Sequence, residues 1–164
     1  MQIPISWINE IVKIDDIKLD FLVKKLTLGG FEVEEVLEIK MPKTTHIVLD
    51  ISATANRSDS LSIQGISLEI AALLNTSLNI STHLLRSEKL KQIILQKATI
   101  FSINTGCTTL LSVSVENLVD RTIPKWITNK LVSSGVTPSN TLIDFQSYIL
   151  LETGYPFAFY DRGK

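Results

Sequence analysis

Few of the side chains that usually perform catalysis or bind metals stand close together in this sequence. His46 and His83 lie far apart, and neither has a second metal ligand at helix or strand spacing. Cys107, the single cysteine, stands between Gly106 and Thr108 with no histidine nearby, so a small buried residue is expected rather than a reactive thiol. No catalytic or metal-binding role is expected for these three residues.

Two pairs of adjacent acids, Asp15 with Asp16 and Glu34 with Glu35, are the other candidates for acid–base chemistry. Neighbouring residues of an extended segment point to opposite faces, so solvated charges are expected rather than a catalytic pair. The sequence also lacks the glycine-rich phosphate loops and the G-x-S-x-G serine motif. The residues by themselves indicate no more than a soluble two-domain α+β protein.

The composition excludes several classes of protein. The chain has 164 residues, of which 45% are hydrophobic and 20% charged, as in folded globular proteins. Sixteen basic and 17 acidic residues give a formal charge of −1, which argues against nucleic-acid binding through bulk charge. One cysteine excludes an intrachain disulfide and a multi-cysteine zinc site. No apolar run approaches the roughly 20 residues of a membrane-spanning helix, and the first residues lack the basic start of a secretory signal.

Apolar spacing predicts the elements of the first half of the chain. A short helix capped by Ser6 follows Pro4. A second helix covers residues 19–28 and is stopped by two glycines, and strands follow at residues 31–40 and 46–52. A third helix runs over residues 59–74 with Ser58 as its N-cap.

The second half is predicted to hold a hairpin, two helices and a strand. The hairpin joins residues 98–103 and 109–117. One helix opens at Pro124 and ends at Gly135, and the next, over residues 139–153, is capped by Gly154. Residues 155–161 read as a short, buried aromatic strand. Trp7 and Trp126 are expected to be core residues.

Three segments, in order, resemble the β subunit of bacterial-type phenylalanyl-tRNA synthetase. ISWINEIV…LVKKLTLGGFEVEEV is similar to a start with a tryptophan followed by L-T-x-x-G-x-E-V-E. TANRSDSLSIQGISLEIAA is similar to T-P-N-R-x-D-x-L-S-x-x-G-x-A-R-E-x-A-A. Residues 126–161 resemble a stretch ending in T-N-Y-V-M-L-E-x-G-Q-P-x-H-A-F-D. The matched positions include Asn56, Arg57, Asp59, Tyr148, Glu152, Gly154, Pro156 and Asp161.

The resemblance implies an architecture and a role. It implies a three-helix, winged-helix-like domain over residues 1–82, a connector over 83–97, and the first part of a mixed α/β editing-type domain over 98–164. The parent enzyme joins phenylalanine to tRNA with ATP and magnesium, chiefly in its α subunit. This chain is therefore expected to hold no catalytic, cofactor or metal site, to bind the α subunit in an α2β2 assembly, and to meet tRNA within that assembly.

Two departures from the family pattern bear on source and completeness. Bacterial β subunits insert an OB-fold tRNA-binding domain where this chain has a short linker over residues 41–45. Its absence resembles plastid-encoded β subunits, as does a lysine- and isoleucine-rich composition, so the plastid stroma is expected, with the bacterial cytoplasm as the alternative. The chain also ends inside the editing-type domain, so a fragment or a truncated relative is expected.

The third segment differs from editing β subunits at three pocket positions. The family threonine and asparagine are replaced by Gln146 and Ser147, and the family histidine by Ala158. A methyl group neither accepts a proton nor orients water. The resemblance therefore predicts that hydrolysis of tyrosyl-tRNA is lost.

Other interpretations remain open. The chain is alternatively a stand-alone RNA-interaction or assembly module, or a free-standing hydrolase that clears mischarged tRNA. Asn56, Arg57 and Asp59 alternatively only build the turn before a helix, with Arg57 paired to a carboxylate.

Overall fold

The computed structural model of the chain describes residues 1–42, 44–79, 98–101, 110–115 and 122–161. These residues form α-helices and two antiparallel sheets, so the fold class is α+β, as the sequence predicts. His83, Cys107 and the predicted connector 83–97 lie outside the described residues. No helix in the described part of the chain is both long and apolar enough to cross a membrane.

The first 79 residues hold three helices around a three-stranded sheet. The elements are β1 (Gln2–Pro4), α1 (Ile5–Ile11), α2 (Leu19–Leu28), β2 (Glu32–Lys40), β3 (Thr45–Ser52), a 3-10 turn (Ser58–Ser60) and α3 (Ile63–Leu74). The sheet order is β1-β3-β2, and β3 is antiparallel to both neighbours. The predicted strands and the second and third helices are therefore confirmed, apart from their end residues.

The later residues hold a strand pair and two helices. The elements are β4 (Ala98–Phe101), β5 (Leu110–Val113), α4 (Lys125–Ser133) and α5 (Leu142–Thr153). β4 and β5 pair antiparallel, as the predicted hairpin requires. Gly154 ends α5 in the left-handed conformation at φ 79°, which is the predicted cap.

The grouping of these elements differs from the sequence-based division. By their contacts, α4 and α5 form one compact unit with the first 79 residues, whereas β4 and β5 belong to a second unit. The sequence places all four elements together in residues 98–164. The physical reason for the difference is burial, because Ile127, Leu131 and Tyr148 enter the apolar core of the first unit.

The core of the first unit is built by one apolar face from each helix and from β3. Ile63, Ile66 and Ile70 lie on one side of α3 and are fully buried or nearly so. The other elements contribute Trp7, Ile8, Leu22, Leu26, Leu49, Ile51, Ile127 and Leu131. Trp7 is thus a core residue, as predicted.

Two predicted helix caps are wrong. Ser6 lies inside α1, which begins at Ile5 after Pro4 and has no side-chain cap, because the extended backbone at Pro4 already opens the helix. Ser58 begins the separate 3-10 turn, and the N-cap of α3 is Ser62, whose hydroxyl accepts the Gly65 N–H at 2.9 Å. The sequence therefore has two serines, Ser58 and Ser62, that could cap the helix. Because the 3-10 turn comes first, α3 begins at Ile63, four residues after the predicted start at residue 59.

Two further predictions near the end of the chain are wrong. Residues 155–161 are fully described and form no strand, and their side chains are exposed rather than buried. Trp126 is 52% exposed on α4 and is not a core residue. Trp126 lies at the edge of the core, where its ring contacts Tyr148, and residues 155–161 are exposed beyond the end of α5.

Candidate functional site

The start of α5 is fixed by a buried carboxylate. Asp144 accepts hydrogen bonds from the amide N–H of Ser139 at 2.8 Å, the Ser139 hydroxyl at 2.8 Å and the Asn140 amide at 2.9 Å. Burial by itself raises the pKa of Asp144, but these three hydrogen bonds outweigh it and hold the pKa below its usual value. Asp144 is therefore a charged anchor for the turn that leads into the helix.

Tyr148, in the middle of α5, lies between the two tryptophans. Its ring is stacked on Trp7 with centroids 5.4 Å apart, and Trp126 meets it edge-on at 5.2 Å. Burial, together with a hydrogen bond to Glu152, strongly raises the pKa of the Tyr148 phenol. The phenol therefore stays protonated at physiological pH and acts as a donor in a packed cluster.

Lys130 of α4 completes this aromatic cluster. Its Nζ lies 4.7 Å from the ring centre of Trp7, 5.8 Å from that of Trp126 and 5.9 Å from that of Tyr148. The same Nζ is 2.6 Å from Oε2 of Glu10 on α1. Because the Lys130 ammonium group contacts three aromatic rings and one carboxylate, it stabilises the packing of α4 on α1.

The three predicted degenerate positions fall on α5 and on the segment after it. Gln146 Nε2 donates to the carbonyl oxygen of Phe157 at 3.0 Å, so its amide joins α5 to the residue next to Ala158. Ser147 is half-buried on α5, and Ala158 is exposed. No imidazole or carboxylic acid occupies these three positions, so they offer no group that takes a proton at neutral pH.

The motif around Arg57 forms a compact charge network before α3. Arg57 makes two hydrogen bonds to Asp59, at 3.3 and 3.2 Å, and an ion pair with Glu69 of α3. The hydrogen bond between Arg57 and Asp59 raises the pKa of Arg57 and lowers that of Asp59. The guanidinium also lies 5.2 Å from the ring centre of Phe31. The network joins the turn, α3 and the start of β2.

Two other motif residues support the same turn. Asn56 Oδ1 accepts the Thr54 hydroxyl at 2.6 Å. Gly65 packs so closely on the turn that an added Cβ would clash with the backbone of Asp59 and Ser60. Asn56 and Asp59 are exposed, whereas Arg57 is half-buried.

The remaining candidates from the sequence have ordinary surroundings. His46 is hydrogen-bonded through Nδ1 to the Ser6 hydroxyl at 3.0 Å and through Nε2 to the Thr44 hydroxyl at 2.9 Å. Asp15 accepts a hydrogen bond from Asn9. Within the described residues, no group of three or more histidine, cysteine, aspartate or glutamate side chains is placed to hold a metal ion.

Sequence reasoning missed two of the interactions that organise this region. Asp144 had a usable signal, since Thr141 and Asp144 have the T-x-x-D spacing of a capping box. No pattern in the sequence indicated the role of Lys130, because the three rings around it come from α1, α4 and α5 and meet only in the folded chain.

Comparison with known proteins agrees with the resemblance seen in the sequence. Residues 106–164 match the B3/4 domain family. The chain is 55% identical over 164 residues to the chloroplastic phenylalanine–tRNA ligase β subunit of Phaeodactylum tricornutum and 36% identical over 166 residues to that of Porphyra purpurea. Both alignments cover the whole chain. A β subunit of Trichormus variabilis is 33% identical over 72% of the chain.

The chain spans 23% and 22% of the length of the first two relatives. The predicted resemblance is confirmed, because these alignments run through all three of the motif segments. The similarity therefore applies to one part of a much longer type of protein.

Proposed function

Because the chain is similar over its whole length to phenylalanine–tRNA ligase β subunits, we propose that it is the amino-terminal portion of such a subunit. The observation that carries the proposal is 55% identity across all 164 residues. In this role the chain supplies scaffold and subunit contacts. The α subunit forms phenylalanyl-tRNA from phenylalanine, ATP and tRNA with magnesium, within an α2β2 enzyme. The plastid stroma is the proposed compartment, since the first relatives are chloroplastic.

The link between β2 and β3 supports the plastid type of subunit. The two strands are adjacent and antiparallel, and the Met41 N–H donates to the Thr44 carbonyl at 2.8 Å across the tip. This turn is too short to contain an inserted OB-fold domain. We therefore propose that the chain reaches tRNA only as part of the assembled enzyme.

The order of elements supports a winged-helix-like first domain. A strand, two helices and a hairpin follow one another as β1-α1-α2-β2-β3, with β3 central in the sheet. In this interpretation the β2–β3 hairpin is the wing. We retain residues 1–82 as this domain, 83–97 as a connector and 98–164 as the first part of the editing-type region, although α4 and α5 pack on the first unit.

We further propose that the editing pocket is inactive. Tyrosine is phenylalanine plus one hydroxyl, and an apolar site rejects such an isostere by only about 10²-fold in the comparable valine and threonine case, which is why editing sites exist. Here Ala158 carries a methyl group in place of the family histidine. The Gln146 amide donates a hydrogen bond to the Phe157 carbonyl, next to Ala158 in the chain.

Deacylation of tyrosyl-tRNA by the full-length enzyme tests this loss. We expect a rate equal to spontaneous hydrolysis, and recovery of hydrolysis in the triple variant Gln146→Thr, Ser147→Asn, Ala158→His. The matched control carries Thr141→Asn, Ile143→Val and Tyr155→His outside the three positions and should not gain hydrolysis. Hydrolysis well above the spontaneous rate by the unaltered enzyme would overturn the proposal.

The subunit role has its own test, which is association with an α subunit. The full-length β chain and the plastid α subunit are co-expressed with a tag on the α subunit alone. We expect the β chain to be retained in equal amounts through a size-exclusion column. A β chain that stays separate and instead binds RNA selectively would favour the alternative RNA-interaction module.

A further inference from the structure

The aromatic cluster around Lys130 has the composition of a cation-binding cage. Trp7 and Tyr148 are stacked with their centroids 5.4 Å apart, and Trp126 meets Tyr148 edge-on at 5.2 Å. The Lys130 Nζ lies 4.7, 5.8 and 5.9 Å from the centres of the three rings. Because the face of an aromatic ring is negative, three rings around one point form a favourable site for a positive charge.

A carboxylate completes the cage and determines which cation fits it. The Lys130 Nζ donates a hydrogen bond to Oε2 of Glu10 at 2.6 Å. A group held in this way needs both a positive charge and an N–H donor, so a primary ammonium fits the cage. A quaternary ammonium has no N–H and loses the hydrogen bond to Glu10. One carboxylate supplies too few oxygen ligands for calcium or magnesium.

Trp7 contributes the face of its ring to the cage and not its N–H. The residue is 2% exposed, and its Nε1 has no hydrogen-bond partner within the described part of the chain. A buried indole N–H usually has a partner. The indole is therefore oriented with its face toward the Lys130 ammonium, which is the orientation that a cation site requires.

We propose that Trp7, Trp126, Tyr148 and Glu10 form a binding site for a primary alkylammonium group, which the chain fills with its own Lys130. In the simplest alternative, the apolar stem of Lys130 covers the rings and the charge has no role. A cation site recognises the ammonium group itself, so it also binds a free alkylammonium ion once the lysine stem is removed. The inference does not depend on the proposed function, because it uses only contacts within the chain.

The test is rescue of Lys130→Ala by n-propylammonium in the full-length β subunit. The three carbons and the nitrogen of this ion replace the Cγ, Cδ, Cε and Nζ atoms that the substitution removes. At constant ionic strength, n-propanol is the uncharged control of equal length, and tetramethylammonium is the cation without an N–H. Lys125→Ala, at an exposed position of the same helix, is the matched variant. Hydrogen–deuterium exchange with mass spectrometry follows the peptides of α1 and α5 within the long chain.

We expect the amides of α1 and α5 to exchange about tenfold faster in Lys130→Ala than in the unaltered subunit. Saturating n-propylammonium should slow this exchange at least about threefold, and Glu10→Gln in the same chain should weaken the rescue. Lys125→Ala should show neither effect. Equal slowing by n-propanol or tetramethylammonium, or no slowing by n-propylammonium, would overturn the inference.

Acetylation of the unaltered subunit with acetic anhydride keeps the inference testable if Lys130→Ala does not fold. Mass spectrometry compares the two lysines of α4. Lys130 should react about fivefold more slowly than Lys125, because the rings and Glu10 hold its ammonium group in the cage, and Glu10→Gln should reduce this difference. Equal rates at the two lysines, or a difference that Glu10→Gln leaves unchanged, would contradict a cation site.

Discussion

At the scale of single residues, Lys130 contacts four side chains from three helices. It faces the rings of Trp7, Trp126 and Tyr148 and pairs with Glu10. Its side chain is only 17% exposed, so water screens these interactions less than those of a fully exposed lysine. The cluster lies where α1, α4 and α5 meet, and it links the first and third motif segments.

Replacing Lys130 by methionine should lower the free energy of unfolding by about 1–2 kcal/mol. Methionine retains the apolar stem but removes the charge that faces the rings and Glu10. The matched control is Lys125→Met, an exposed position at the start of the same helix, where a change below about 0.5 kcal/mol is expected. Urea denaturation followed by tryptophan fluorescence measures both variants. Equal effects at the two positions would contradict the structure of the cluster.

Asp144→Asn should destabilise the protein by about 1–3 kcal/mol at neutral pH, because the amide loses one acceptor for the hydrogen bonds of Ser139 and Asn140. The folded state lowers the pKa of Asp144, so the unfolded chain binds a proton more readily. The stabilisation is therefore complete above the unfolded pKa near 4 and is lost as the pH falls through the folded pKa.

Unfolding midpoints of Asp144→Asn and the unaltered protein are measured between pH 7 and the acid limit of folding. The difference in unfolding midpoint between the two proteins should be constant above about pH 5 and should shrink below pH 4. Asp16→Asn, at an exposed position in the turn before α2, is the control for a general effect of removing an acid. A difference in unfolding midpoint that is independent of pH down to the acid limit would show that Asp144 is not an ionised anchor.

Residue-level roles were predictable only where they follow local sequence. Gly154 was found because a glycine after a periodic apolar run marks the end of a helix. The positions of Gln146 and Ala158 come from the resemblance, but their connection through the Phe157 carbonyl required the structure. Lys130 was not found, since cation–ring contacts between separate helices leave no pattern along the chain.

At the scale of elements, α3 is the centre of the first unit. It has the longest unbroken apolar face, and Ile70 on that face is fully buried, whereas Leu68 on the same helix is 53% exposed. The sequence predicts this face correctly because burial imposes the helical period on the apolar residues. It does not predict where the helix begins, since Ser58 and Ser62 are both suitable caps.

Ile70→Ala should cost on the order of 2–5 kcal/mol, since it removes buried methyl and methylene groups and leaves a cavity. Leu68→Ala, with the same kind of truncation at the surface of the helix, should cost less than about 0.5 kcal/mol beyond its effect on helix propensity. Denaturant melts of the two variants provide the comparison. An Ile70→Ala change within about 0.5 kcal/mol would mean that this face is not packed.

The aromatic segment shows why a strand pattern is not sufficient to predict a strand. Alternating rings over residues 155–160 fit the period of two, and the side chains do fall on one side, as the contact of Phe157 with Phe159 indicates. Strand formation, however, depends on a neighbour that is distant in sequence. The described residues supply none, so the prediction failed for lack of a partner and not for lack of a pattern.

At the scale of the whole molecule, fold class and resemblance were predictable from the sequence, and the grouping of elements was not. The helices α4 and α5 carry the third motif segment but pack on the unit that holds the first two. That packing depends on Tyr148 reaching Trp7, which is 141 positions earlier in the chain. Contacts over such distances are fixed by the complete core and not by a local pattern.

The chain by itself should bind tRNA weakly. Its net charge is −1, and β2 and β3 are joined by a short turn, so no extended basic surface is expected. We expect a Kd no tighter than roughly 10⁻⁴–10⁻⁶ M at physiological salt, the range of non-specific binding. Fluorescence anisotropy with labelled tRNA measures it, with an unrelated RNA of equal length as control. Submicromolar, selective binding would contradict this expectation and favour an RNA-interaction module.

The central claim is that these 164 residues serve a phenylalanine–tRNA ligase. The most direct measurement is the attachment of radiolabelled phenylalanine to plastid tRNA by the α subunit combined with the full-length β chain, with the β chain lacking residues 1–164 as comparison. We expect attachment that requires the α subunit and is lost when these residues are deleted or when Ile70→Asp unfolds their core. Full activity without residues 1–164, or no activity from the complete pair of subunits with any plastid tRNA, would contradict it.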